Sequence, residues 1–153
     1  MTEEPTPAPA LPWSDSFSVG IEALDNEHRA LVRLVNAVCA AWHEGQKEAA
    51  LDAFDSLTVL ADDHFRHEEE ILRGFPGYQD LASYVSEHQN RLKQLTALRG
   101  RFENAPAGSE EAEPCNHLID WFVRQTIGHD AAIKSFRDDY RPLRFSSGSR
   151  KAS

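Results

Sequence analysis

The stretch from Leu51 to Leu72, LDAFDSLTVLADDHFRHEEEIL, decides the fold. Its apolar residues Leu51, Phe54, Leu57, Leu60, Ala61, Phe65, Ile71 and Leu72 recur by threes and fours, the spacing of one helical face. His64 and Glu68 interrupt that face. They stand in an i, i+4 relation, so their side chains project one above the other into the stripe. Of the acids Glu68, Glu69 and Glu70, Glu68 alone shares the stripe of His64; the others belong to a charged run. The helix is stopped by Arg73-Gly74-Phe75-Pro76-Gly77, a strong breaker.

The same spacing continues on both sides. Upstream, Ile21, Leu24, His28, Leu31, Val32, Val35, Val38 and Cys39 predict a helix of about 22 residues that ends near Gly45. Downstream, Leu81, Tyr84, Val85, His88, Leu92, Leu95 and Leu98 predict a third. A loop from Glu103 to Ser109 holds Asn104, Pro106 and Gly108, with Ser109 as the expected N-cap of a fourth helix. That helix runs from about Glu111 through Leu118, Trp121, Phe122, Gln125 and Asp130 to Phe136. No alternating strand pattern with hairpin turns occurs. Four helices of about 20 residues joined by short loops predict an all-α fold, an antiparallel up-down four-helix bundle. The bundle is expected over residues 18–139, after a Pro-rich flexible arm (1–17) whose Leu11, Trp13 and Phe17 pack onto it. A Ser/Gly/Arg-rich flexible tail, residues 140–153, is expected to follow.

Composition excludes several classes of function. The chain has 153 residues, 41% hydrophobic and 27% charged, and one domain of that size builds a core without disulfides. Sixteen Lys and Arg against 25 Asp and Glu give a net charge of −9, which argues against a nucleic-acid partner. No run of 18 apolar residues offers a membrane span. The opening MTEEPTPAPALPW lacks the basic and apolar regions of a signal peptide, so the expected location is the cytoplasm. Cys39 and Cys115 form neither a Cys-x-x-Cys pair nor a disulfide framework and are expected as small buried hydrophobes.

Each helix carries a polar group in its apolar face: His28 in the first, His64 and Glu68 in the second, Tyr84 and His88 in the third, Gln125 and Asp130 in the fourth. A buried polar group without a partner costs about 1–3 kcal/mol, and an unpaired carboxylate far more. Such a set must satisfy itself or hold a cation, and imidazole with carboxylate suits iron, zinc or manganese. Gln125 and Asp130 are five residues apart, about 140° on a regular helix. A π-bulge near Ile127-Gly128 would align them; without one, His129 takes the stripe instead. His43, His67 and His117 are read as surface or hydrogen-bonded histidines without a role in the site. Glu-x-x-His, His-Glu-x-x-His, the P-loop and Gly-x-Gly-x-x-Gly are absent from the sequence.

At these residues the chain resembles the bacterial hemerythrins, non-haem di-iron oxygen-binding proteins. The likeness rests on Trp13 with VGIEALDNEH (19–28), HFRHEE (64–69), GYQDLASYVSEH (77–88) and WFVRQTIGHD (121–130). It implies two iron ions joined by carboxylates and an oxo or hydroxo group. On that likeness His28 and His64 match the histidines of the iron that takes up oxygen, and Glu68 and Asp130 match the bridging carboxylates. His88 matches one of three histidines on the other iron; the remaining two fall on Tyr84 and Gln125. The departure is confined to one metal. Tyrosinate favours ferric iron and a Gln carbonyl is a weak neutral donor, so that site is expected to be looser and harder to reduce.

Three functions follow as expectations. The first is a protein that binds oxygen for transport, storage or sensing, as a monomer or weak oligomer. The second is an enzyme turning over peroxide, oxygen or nitric oxide at a ferric-biased pair, marked by sustained peroxidase turnover. The third is a structural bundle with one metal or none, marked by indifference to chelator.

Overall fold

The computed structural model describes residues 10–75, 80–107, 113–129 and 133. Four helices account for most of them: α1 (Glu22–His43), α2 (Lys47–Arg73), α3 (Leu81–Asn104) and α4 (Glu113–Val123). Each helix packs on the next in chain order, and α1 also meets α4, so the four close into a bundle. The all-helical expectation holds, and α1 has its expected 22 residues.

Local sequence explains the ends of α1. No side chain caps it at Ile21, but Asp25 in its first turn reaches back to the incoming chain. The Asp25 carboxylate accepts from the Ser18 hydroxyl at 2.6 Å and from the Val19 N–H at 2.8 Å. That clasp holds a short 3-10 turn, Asp15–Phe17, against the bundle. Leu11 is tied down as well: its N–H donates to the Asn36 side chain and its carbonyl accepts from it. Leu11 and Phe17 are buried, and Trp13 packs on the core with the Arg29 guanidinium 4.5 Å above its ring. The expected packing of these three residues is therefore present. At the other end Gly45 has a φ of +80°, a left-handed value that lets the chain turn into α2 within three residues.

The fourth helix departs from the regular one expected. After Val123 the chain winds as a π-helix over Arg124–His129, which contains the Ile127-Gly128 position where a bulge was anticipated. Such a turn hydrogen-bonds i→i+5 and brings residues five apart toward one face. Asp130, the Ser109 cap, the chain before residue 10 and the 140–153 tail lie outside the described residues.

The core divides into two apolar clusters. One holds Leu31, Val35, Cys39, Phe65, Leu95, Leu118 and Phe122 among others; the second holds Val19, Ile21, Leu24, Ile71, Leu72, Phe75, Tyr84 and Ile133. α1, α2 and α3 each pass from one cluster to the other, with a buried polar side chain at the crossing. On α1 the order is Leu24, His28, Leu31; on α2 it is Phe65, Glu68, Ile71; on α3 it is Tyr84, His88, Leu95. Gln125 lies between Phe122 and Ile133 in the same way. A polar layer of His28, His64, Glu68 and His88 thus lies between the two apolar clusters.

Cys39 and Cys115, far apart in sequence, are both buried and free, and they meet across α1 and α4. The hydrogen bond from Cys115 and burial push the Cys39 thiol well above its ordinary range. The same hydrogen bond lowers the Cys115 thiol, and burial in the core keeps both sulfurs out of a reagent's reach. Iodoacetamide at pH 8 should therefore label neither cysteine in the native protein and both after unfolding, read by intact mass. Stoichiometric labelling of the folded chain would show that this half of the core opens.

Candidate metal centre

The polar layer is built from imidazoles whose orientation is fixed from behind. His28 donates from Nδ1 to the carbonyl of Phe17 at 2.7 Å, which is where the clasped 3-10 turn delivers that carbonyl. His64 donates from Nδ1 to Glu27 Oε1 at 2.7 Å, and His88 donates from Nδ1 to Glu69 Oε2 at 2.7 Å. Glu27 follows from helical geometry: one residue before His28, it points about 100° away from the core stripe and toward α2. There His64 and His67, three apart on one face, each offer an Nδ1 to one of its two oxygens. Burial pushes the Glu27 carboxyl up, but hydrogen bonds from His64 and His67 and their attraction outweigh it and hold it below the usual carboxylate range. It is an ionised acceptor.

With each Nδ1 proton committed outward, the Nε2 lone pairs of His28, His64 and His88 are directed inward. His28 Nε2 lies 3.0 Å from His64 Nε2, His64 Nε2 lies 3.1 Å from Glu68 Oε2, and His88 Nε2 lies 3.2 Å from Glu68 Oε1. Glu68 thus presents one oxygen toward His64 and the other toward His88. Its side chain is fully buried, and among the described residues neither oxygen accepts a hydrogen bond. Lone pairs of two imidazoles and a carboxylate converging within 4.8 Å repel one another unless a cation lies between them. A buried carboxylate left without proton or cation costs several kcal/mol. The donor set is therefore suited to a metal ion of the borderline kind that takes nitrogen and oxygen together.

The remaining candidates are placed with less geometry. Tyr84 is buried one turn before His88, its ring edge-on to that imidazole at a centroid separation of 4.5 Å. Phe65 stacks face to face on the His88 ring at 4.3 Å, so the imidazole touches two aromatic rings. Gln125 is buried on the π-helical turn, which ends at His129. His28, His64, Glu68 and His88 are brought together; Tyr84 lies in the apolar cluster beside His88 and Gln125 is buried on the π-helical turn; Asp130 is outside the described residues.

The model of the hemerythrin HHE cation binding domain matches residues 19–129, most of this chain. The chain belongs to the hemerythrin family. Among its relatives, the bacteriohemerythrin of Stenotrophomonas maltophilia is 26% identical over 123 residues, which is 80% of this chain and 78% of that protein. The bacteriohemerythrin of Clostridium acetobutylicum is 30% identical over 122 residues, covering 77% of this chain and 94% of the relative. The myohemerythrin of Theromyzon tessulatum is 26% identical over 122 residues, 80% of this chain and 89% of the relative. Membership of a cation-binding family agrees with the converging lone pairs and disfavours a bundle that is merely structural. Among the described residues no helix is long and apolar enough to cross a membrane.

Glu27 and Glu69 were not among the residues singled out in the sequence, whereas His67, read as a surface or hydrogen-bonded histidine, is indeed hydrogen-bonded, to Glu27. Both acids do have a signal in hindsight. Glu27 precedes His28 and Glu69 follows Glu68, and a carboxylate one residue from a buried polar side chain is placed to reach a neighbouring helix.

Proposed function

We propose that this hemerythrin-family chain holds two iron ions in its polar layer and uses them to bind molecular oxygen in the cytoplasm. The observation that carries the reading is the Glu68 carboxylate, buried without a hydrogen bond among the described residues and flanked at 3.1 and 3.2 Å by two imidazole nitrogens. His28 and His64 would hold one ion, His88 with Tyr84 and Gln125 the other, and Glu68 with Asp130 would bridge them. Iron supplies the electrons that oxygen binding requires. The protein supplies the geometry: Phe17, Glu27 and Glu69 keep each imidazole in the tautomer that offers Nε2. The apolar clusters on either side exclude water from the layer. His28 and His64 support unimpaired uptake on their ion, whereas a tyrosine and an amide in place of two imidazoles make the second ion weaker and biased to the ferric state.

Ferrous-loaded protein opened to air should develop an oxygen-dependent visible band, weak or slow to reverse when oxygen is removed. A spectrum unchanged by oxygen in iron-loaded protein would overturn the proposed function.

The carboxylates behind the imidazoles provide a separate test. Glu27→Ala should weaken metal retention against a chelator by about 10–100-fold, the usual cost of losing such a support. Glu70→Ala, exposed on the same helix as Glu68, should leave retention unchanged. Equal losses in both variants would show that Glu27 acts through net charge rather than by orienting His64.

A further inference from the structure

A second site lies outside the polar layer. A cavity of about 290 Å³ opens between α3 and α4, and Arg91, Arg101, Arg124 and His117 all line it. The gathering of three guanidinium groups is unexpected on a chain of net charge −9. Two carboxylates offset it in part: Arg124 Nε donates to Asp120 at 2.7 Å, and Arg91 Nε faces Glu87 at 3.5 Å. Yet Arg91 Nε is buried and makes no hydrogen bond among the described residues. Arg101 donates from Nη1 to His117 Nδ1 at 2.5 Å. Because a guanidinium only donates, His117 is the acceptor there and carries its proton on Nε2, a further donor. The floor is apolar. Leu98 and Trp121 form it, and the Trp121 indole is locked by donating to the Arg91 carbonyl at 3.1 Å.

We propose that this cavity is a binding site for a small organic anion, a carboxylate or phosphate group carried on a flat apolar body. Arginine forks match the paired oxygens of either head group, and the Leu98–Trp121 floor takes the body. A larger opening of about 640 Å³ continues along the same two helices past Arg124 to Ile127 and Gly128. Arg91, Gln94 and Arg124 line both openings.

The test is titration of the full chain with phenyl phosphate, benzoate and inorganic phosphate, following the amide spectrum and the indole N–H signal of Trp121. Phenyl phosphate, benzoate or both should saturate that signal at millimolar concentration, and which of them binds more tightly identifies the head group. Inorganic phosphate should bind at least about fivefold more weakly than the better of the two, since it lacks a body for the floor. Arg101→Ala and Arg124→Ala should each weaken binding at least fivefold, with unchanged folding by circular dichroism. Arg33→Ala, exposed on α1, should not. Failure of both organic anions to move the Trp121 signal at 10-fold higher concentration, on the order of 10 mM, would overturn the proposal. So would equal weakening by Arg33→Ala, which would mean a diffuse charge effect.

Discussion

Glu68→Ala should abolish the stabilisation that metal confers while making the metal-free protein no weaker. The carboxylate sits fully buried with two imidazole nitrogens at 3.1 and 3.2 Å and, among the described residues, no hydrogen bond to either oxygen. In the metal-free chain it is a liability, because a buried charge without a counter-charge costs several kcal/mol. With metal bound it becomes a ligand, and binding at 1,000-fold excess over the dissociation constant stabilises the fold by about 4 kcal/mol. For a domain of this size that is a rise in Tm of about 8–16 °C. The natural chain should gain that rise on loading with ferrous iron, and Glu68→Ala should gain little or none. Glu68→Gln, which keeps the shape and removes the charge, should make the metal-free protein more stable than the natural one. His64→Ala should also lose the metal-dependent gain. His43→Ala, at the end of α1 and away from the layer, should keep all of it. A gain retained in Glu68→Ala would mean that the metal binds elsewhere.

The second large effect concerns the residues that depart from the three-histidine pattern of the family. Tyr84 is buried with its ring edge 4.5 Å, centroid to centroid, from the His88 ring, and Gln125 is buried on the π-helical turn. If Tyr84 ligates iron, the oxidised protein shows a phenolate-to-iron charge-transfer band, and Tyr84→Phe removes it entirely. Tyr84→His together with Gln125→His should then strengthen reversible oxygenation, because the other proposed ligands are unchanged. Either change alone leaves the second ion short of an imidazole and should restore little. Gln125→His tests the register of the π-helical turn as well. If His129 serves in place of Gln125, Gln125→His adds nothing and His129→Ala releases metal. Reversible oxygenation of the natural protein with no phenolate band would make Tyr84 an ordinary core aromatic.

What could be read from sequence and what could not divides along physical lines. The helices were legible because each buries a continuous stripe, and Gly45 marks the end of α1 by the left-handed φ it adopts. The polar layer was legible because His28, His64, Glu68 and His88 each break such a stripe, and a buried polar residue is conspicuous against apolar neighbours. The partners behind them were not. Glu27 and Glu69 lie off the stripe, on faces where acids are ordinarily solvated, and only the crossing of α1, α2 and α3 places them against imidazole Nδ1 atoms. The meeting of Cys39 with Cys115 was hidden for the same reason: it depends on how α1 and α4 are rotated about their axes. Five-residue spacing between Gln125 and Asp130 left two alternatives open, a π-bulge near Ile127-Gly128 or His129 on the stripe, and the chain does wind as a π-helix there. Its extent, Arg124–His129, depends on packing against the rest of the bundle rather than on any local residue.

The central claim is that the converging Nε2 atoms of His28, His64 and His88, with the oxygens of Glu68, hold iron. The most direct measurement is metal content after anaerobic loading of the apoprotein with ferrous iron and removal of the excess by gel filtration. One tightly held iron per chain is expected, and a second that a weak chelator strips first, with both lost in Glu68→Ala. A natural protein that emerges with no iron, or a Glu68→Ala variant that retains both ions, would contradict the central claim.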